Sequence, residues 1–243
     1  MPKGKVVYPW AFYVAVAANL VLFFSFQSLF SVLPLHIVSL GGSAADNGLA
    51  TWVFALAALL ARPLAGLLAD RWDRKAILLC GALLFGGGPL LYAASSSVPL
   101  LLGARVVHGV GMGFFTTAYQ ALVAGLLSPD RYGEGLGLAN TASVVTMAAA
   151  PLFGERVAME RGFEALFLVI GAIGGGGVLA TLALPHQASD DRDAASPLLP
   201  GWGNLQGVWR RPEVRVGSLA TVSYTHLRAH ETSLHLVCRL LLE

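Results

Sequence analysis

Apolar residues in this chain come in long runs rather than alternating with polar ones, and the runs are separated by short stretches rich in charge or turn formers. Read between those breaks, the pattern predicts helices near 10–38, 48–69, 76–95, 98–127, 135–158 and 162–184. The breaks are SLGGSAADNG, a charged stretch around residues 70–75, ASSSVP, SPDRYGEG and ERVAMERG. Residues 6–45 hold no Asp, Glu, Lys or Arg, and residues 76–129 hold only Arg105. About 20 mainly apolar residues cross a bilayer, so stretches this long must cross, turn and cross again. The pattern predicts an all-α membrane protein with six transmembrane helices, each satisfying its own backbone hydrogen bonds because lipid offers none.

Composition sharpens this reading. Of 243 residues, 56% are hydrophobic and 12% charged, about half the charged fraction of a soluble domain. The first apolar region runs for about 30 residues, well past the roughly 7 to 15 of a cleavable signal, and is read as an uncleaved first span. Cys80 and Cys238 make no framework for a disulfide or a metal site. A net charge of +2 gives no reason to expect nucleic acid as a partner. With the N-terminus inside, the inner segments carry Lys3, Lys5, Arg71, Arg74, Lys75, Arg131, Arg192, Arg210, Arg211 and Arg215, against Arg156 and Arg161 outside. Basic residues favour cytoplasmic loops, so the bias predicts a multi-pass protein of the cell (inner) membrane with a cytoplasmic N-terminus.

The stretch GLLADRWDRKAIL, residues 66–78, places Asp70, Arg71, Asp73, Arg74 and Lys75 within six positions. A basic loop that fixes topology accounts for the cations, but not for the aspartates or for Gly66 one turn earlier. Gly66, Asp70, Arg71, Arg74 and Lys75 resemble the signature between helices two and three of the major facilitator superfamily of transporters, approximately G-x-x-x-D-[RK]-x-G-[RK]-[RK], with Asp73 replacing the second glycine. The resemblance implies that the six helices are the N-terminal bundle of a twelve-helix fold. It also implies that this cluster latches the two halves in the outward-open state. Gly66 is expected to allow close helix approach, as small residues do in membranes, and Asp70 to meet a helix N-terminus or a basic partner.

Two further stretches extend the resemblance. In LLGARVVHGVGMGFF, Arg105, His108 and Gly109, followed by Gly111 and Gly113, resemble the family's R-x-x-Q-G pattern on helix four, with His108 at the glutamine position. An arginine at mid-membrane costs about 2.5 to 3.5 kcal/mol on insertion scales and normally faces a cavity or partner; snorkelling to an interface or pairing with a neighbouring helix are the alternatives. In TMAAAPLFGE, Pro151 and Gly154 resemble the G-x-x-x-G-P-x-x-G-G signature of the family's exporters, with Ala150 where glycine is usual. A proline kink in a membrane helix needs no export function to explain it.

On helix four, Arg105, His108, Met112, Thr116, Tyr119 and Gln120 recur at three- and four-residue steps, and on helix one Asn19, Phe23, Phe26, Gln27 and Phe30 do the same. Asn19, Gln27, Met112, Tyr119 and Gln120, with Asn140 on helix five, are candidates for a half-polar, half-aromatic substrate pathway, which suits an amphiphilic organic molecule better than a bare ion. Polar glue between helices is the alternative. No span carries a carboxylate at its middle. Proton coupling, which the resemblance implies, would therefore rest on Arg105 and His108, on Asp46, or on residues of another half.

The chain after helix six divides into three expected parts. Residues 185–212 resemble the family's central cytoplasmic linker, residues 213–222 the start of a seventh span, and residues 223–243 an adapter-derived, probable artefactual tail in place of the missing C-terminal six-helix half. His226, His230 and His235 lack the neighbours that a metal site needs. No catalytic residues and no cofactor are expected, since paired carboxylates, HExxH, GxSxG and nucleotide-binding glycine loops are all missing from the sequence. The resemblance thus implies a secondary active transporter of small organic molecules, an exporter, with the bilayer and a small-molecule substrate as its partners. An uptake permease of the same superfamily and a non-transporting membrane scaffold or sensor remain alternatives.

Overall fold

The computed structural model describes residues 8–71 and 73–185, although not the side chains of Asp70, Arg71, Pro129 and Ala142. The predicted linker, the seventh span, the tail and Cys238 lie outside them. All regular structure among the described residues is helical: α1 (Trp10–Gln27), α2 (Leu33–Ser39), α3 (Ala44–Arg71), α4 (Arg74–Ala93), α5 (Val98–Leu126), a 3-10 turn (Pro129–Arg131) and α6 (Tyr132–Leu182). Five of these, all but α2 and the 3-10 turn, are long and apolar enough to cross a membrane. The outward surface is itself apolar: Trp10, Phe30, Trp52, Leu60, Val144 and Leu152 stand exposed, a covering that water does not favour and lipid does.

One predicted helix is interrupted, and one predicted break is narrower than expected. The helix predicted over 10–38 is interrupted, because residues 28–32 leave the α-helical pattern and turn with i to i−3 bonds such as Leu29 N–H to the Phe26 carbonyl (3.1 Å) and Val32 N–H to the Leu29 carbonyl (3.2 Å). Pro34 has no N–H for the Phe30 carbonyl, and the Ser28 hydroxyl donates to the Phe24 carbonyl at 2.8 Å, so the ladder loosens here. The break predicted at ERVAMERG is present but narrow: residues 155–161 continue the helix, and the two last helices of Tyr132–Leu182 part at a kink at Gly162, with φ 85° and ψ 170°, a backbone conformation open to glycine and strained for other residues. At about 1.5 Å per residue the 51 residues are long enough to cross twice, one crossing on each side of the kink.

Within the bundle α5 packs between α3 and α4, and α6 packs on α1 and α4. One core gathers Phe12, Leu22, Leu78, Phe85, Phe115 and Leu122, from α1, the first half of α4 and the second half of α5. A second gathers Val32, Ile37, Tyr92, Leu101 and Phe167, around α2, the end of α4 and the start of α5. Burial of these faces holds the helices in register. Ser43 and Asp46 cap the start of α3 reciprocally: Ser43 N–H and hydroxyl both donate to Asp46 Oδ2 at 2.7 Å, and Asp46 N–H donates to Ser43 Oγ at 3.3 Å, the geometry of a capping box.

Candidate functional site

Arg105 is the eighth of the 29 residues of α5, about 10 Å from that helix's N-terminal end, so it lies in the first third of the helix rather than at the middle expected from the sequence. It is only 7% exposed. Its Nε donates to the Ala50 carbonyl of α3 at 3.2 Å and Nη1 to Tyr92 Oη at 3.4 Å, while the guanidinium carbon stands 4.2 Å from the centroid of the Phe54 ring. A cation over an aromatic face gains roughly 0.5 to 2 kcal/mol as water is excluded. Among the described residues the one ion pair is Arg156 with Glu160, so Arg105 has no carboxylate counter-ion there.

One turn along α5, His108 is fully buried. Its Nδ1 shares a 2.7 Å hydrogen bond with Tyr92 Oη. Phe26, Phe54 and Phe85 surround the imidazole, with ring centroids 5.2–5.7 Å away. Tyr92, on α4, thus links the two polar groups of α5, and no sequence signal marked it. The joint is tight: a Cβ at Gly88 would come 2.5 Å from His108 Cγ, and one at Gly109 would come 2.5 Å from the Phe54 carbonyl oxygen. Gly113 repeats the contact a turn later, 2.6 Å from the Ala58 carbonyl oxygen. Gly109 and Gly113 therefore bring α3 against α5 and put the Ala50 carbonyl within reach of Arg105.

Beside Arg105 lies a cavity of about 440 Å³, walled by Phe26 of α1, Leu33 and Pro34 of α2, and Thr51 and Phe54 of α3, with Asn47 at its rim. That volume falls within the roughly 300 to 1,000 Å³ of sites for small organic molecules.

The remaining predicted residues divide. Asn19 is buried and donates to Ser143 Oγ at 3.0 Å, joining α1 to α6, so its amide is engaged as interhelical glue. Gln27 closes α1 and is half-buried, as is Met112 on α5. Tyr119 is buried whereas Gln120 is exposed and donates to Asn140 Oδ1 at 3.2 Å. The expected single face of α5 therefore splits, because neighbouring residues point about 100° apart on a helix. Pro151 and Gly154 meet the break in the first span: Ser31 Oγ lies 3.5 Å from the Pro151 carbonyl, and a Cβ at Gly154 would strike the Ser28 carbonyl.

In the charged loop, Gly66 does not serve close helix packing as expected. Among the described residues nothing lies within 4 Å of where its Cβ would stand. Asp73, the departure from the family pattern, caps α4 by accepting from Lys75 N–H at 3.0 Å. Lys75 Nζ donates to the Leu182 carbonyl at 2.9 Å, placing a cation at the negative end of α6. Among the described residues, Arg74 Nε is buried without a partner. Arg62, which the sequence reading passed over, stands exposed on α3 one turn before Gly66.

The family model described as Major Facilitator Superfamily matches residues 15–228. The chain is 31% identical over 142 residues to the multidrug resistance protein MdtL of Shewanella oneidensis, covering 58% of this chain and 36% of that protein. It is 25% identical over 165 residues to the quinolone resistance protein NorA of Staphylococcus aureus, covering 68% and 42%. The chain thus spans about two fifths of the length of these curated relatives. Among solved structures, a mutant of the peptide transporter POT superposes with a TM-score of 0.68 at 19% identity, covering 93% of this chain and 47% of that one; at that identity the likeness shows the fold. The apolar helices and the matching family together make this an integral, multi-pass membrane protein. The chain belongs to the Major Facilitator Superfamily.

Proposed function

We propose that this chain is the N-terminal bundle of a secondary active exporter of small organic molecules, working by alternating access against a second six-helix bundle. The observation that carries the reading is Arg105: a cation without a counter-ion among the described residues, buried on the wall of a drug-sized cavity. Burying a charge this way is costly and is retained where it meets solute, ion or a moving partner. The relatives named for multidrug and quinolone resistance support the outward direction. The basic bias of the loops supports a cytoplasmic N-terminus and residence in the cell's inner membrane.

In this reading the 66–75 segment is the inner latch. Lys75 ties α4 to the end of α6, and Asp70 and Arg71, at the end of α3, are the residues that hold the second bundle and release it when the inside opens. Proton coupling runs through the Arg105, Tyr92 and His108 group, since Asp46 is engaged in capping α3. The test is flux in energised, inverted membrane vesicles carrying the whole protein. Saturable accumulation of an aromatic solute, lost on adding an uncoupler and cut at least tenfold by Asp70→Asn with insertion unchanged, supports the reading; undiminished flux in Asp70→Asn removes the latch from it.

A further inference from the structure

We propose that the cavity beside Arg105 binds an amphiphilic organic anion, with the acid group on the guanidinium and an aromatic or aliphatic body between α2 and α3. A guanidinium offers five N–H donors. Ala50 and Tyr92 take two of them, so three are left without a partner among the described residues, and Arg105 lines the cavity. Phe54 covers one face of the cation and supplies no hydrogen-bond acceptor. The nearest carboxylate along α3, Asp46, is bound into the capping turn with Ser43 and makes no ion pair with Arg105.

What the cavity lacks is therefore negative charge, and what it offers otherwise is apolar surface. Phe26 and Phe54, stacked at 5.3 Å with an interplanar angle of 14°, make an apolar wall together with Leu33 and Pro34. A bare inorganic anion would leave that wall empty. An aromatic cation would find the wall but also a buried like charge, which repels it more strongly beside apolar walls than in bulk water. A carboxylate or sulfonate on a ring system satisfies both.

The inference rests on the transporter reading only in taking the cavity as the solute's, and equilibrium binding reads it without flux. The 243-residue chain is reconstituted in nanodiscs of zwitterionic lipid and dialysed against naphthalene-2-sulfonate, the neutral naphthalene-2-sulfonamide and the cation 2-naphthylmethylammonium, with empty discs subtracted. The sulfonate is expected to bind about tenfold or more tighter than the sulfonamide, the value of one charge-assisted hydrogen bond, and the ammonium weakest. Arg105→Gln abolishes that gap and Arg105→Lys keeps part of it. Should Arg105→Gln fail to insert, the three ligands on the unaltered chain and on Arg105→Lys still decide the matter. Equal binding of sulfonate and sulfonamide, tighter binding of the ammonium, a gap that persists in Arg105→Gln, or no sulfonate binding below millimolar overturns the inference. A whole protein that moves no solute defeats the transporter reading while leaving sulfonate binding untouched. Flux confined to cations and indifferent to Arg105 defeats the anion assignment alone.

Discussion

Replacing Gly109 by alanine should destabilise the bundle, while the same replacement six residues earlier, at Gly103, should not. Both glycines lie in α5, so the intrinsic gain in helix propensity, about 0.5 to 1 kcal/mol, is common to both. Their surroundings differ. At Gly103 nothing lies within 4 Å of the new methyl, whereas at Gly109 it would stand 2.5 Å from the Phe54 carbonyl oxygen and 3.0 Å from Ala57 Cβ. That is about 0.9 Å short of an ordinary contact, and the obstacle is backbone, so α3 and α5 must separate. Overpacking of this kind costs about 1 to 3 kcal/mol. The separation also stretches the 3.2 Å bond from Arg105 to Ala50 past hydrogen-bonding range, a further loss of about 1 kcal/mol. Gly109→Ala is thus expected to lose about 2 to 3 kcal/mol net, and Gly103→Ala to gain a few tenths up to about 1. Titrating both variants with sodium dodecyl sulfate in mixed micelles, followed by far-UV circular dichroism and tryptophan fluorescence, separates them. Shifts of the same sign and size at the two positions would refute the claim that Gly109 is there to seat α3 on α5.

Other contacts give further expectations in the same assay. Tyr92→Phe leaves His108 Nδ1 unpaired and should cost about 1 to 2 kcal/mol, with near-wild-type stability counting against the Tyr92 bridge. A double-mutant cycle on Asn19→Ala and Ser143→Ala should give a coupling near 0.6 kcal/mol and no more than about 1.7; zero coupling would return the Asn19 amide to the list of groups free for solute. Asp73→Ala should cost about 1 kcal/mol through the lost cap of α4. Lys75→Met should cost about 0.3 to 1 kcal/mol, a loss that shrinks with added salt because it is a charge at a helix end.

The spans were legible because hydrophobic length is a property of composition along the chain, and Arg105 and His108 stood out as polar residues where lipid tolerates few. What the sequence concealed depended on three-dimensional neighbours. Residues 28–32 read as one more apolar stretch; Pro34 and the Ser28 hydroxyl loosen the ladder there, and the packing of Ser28 and Ser31 on Gly154 and Pro151 could not be read from the sequence. The break at ERVAMERG falls on its last residue, Gly162, and is narrower than its charge suggested, since Glu, Arg, Met and Ala are good helix formers and Arg156 pairs with Glu160 one turn on at 2.9 Å. Tyr92 carries no charge and no motif, and the Ala50 contact is made by a carbonyl, so neither partner of Arg105 could be read from residue types. Asp73 looked like a flaw in a family signature and is the cap of the next helix.

The central claim is that the cavity face of α3 looks into a solute pathway closed by a second bundle rather than into lipid. Ala55 stands exposed on that face and lines the cavity. In the whole protein, with its native cysteines replaced by serine, Ala55→Cys is treated with a membrane-impermeant thiol reagent. The account predicts labelling from the aqueous phase, slowed several-fold by transported solute. Labelling only by a lipid-soluble maleimide, at a rate indifferent to solute, would contradict it.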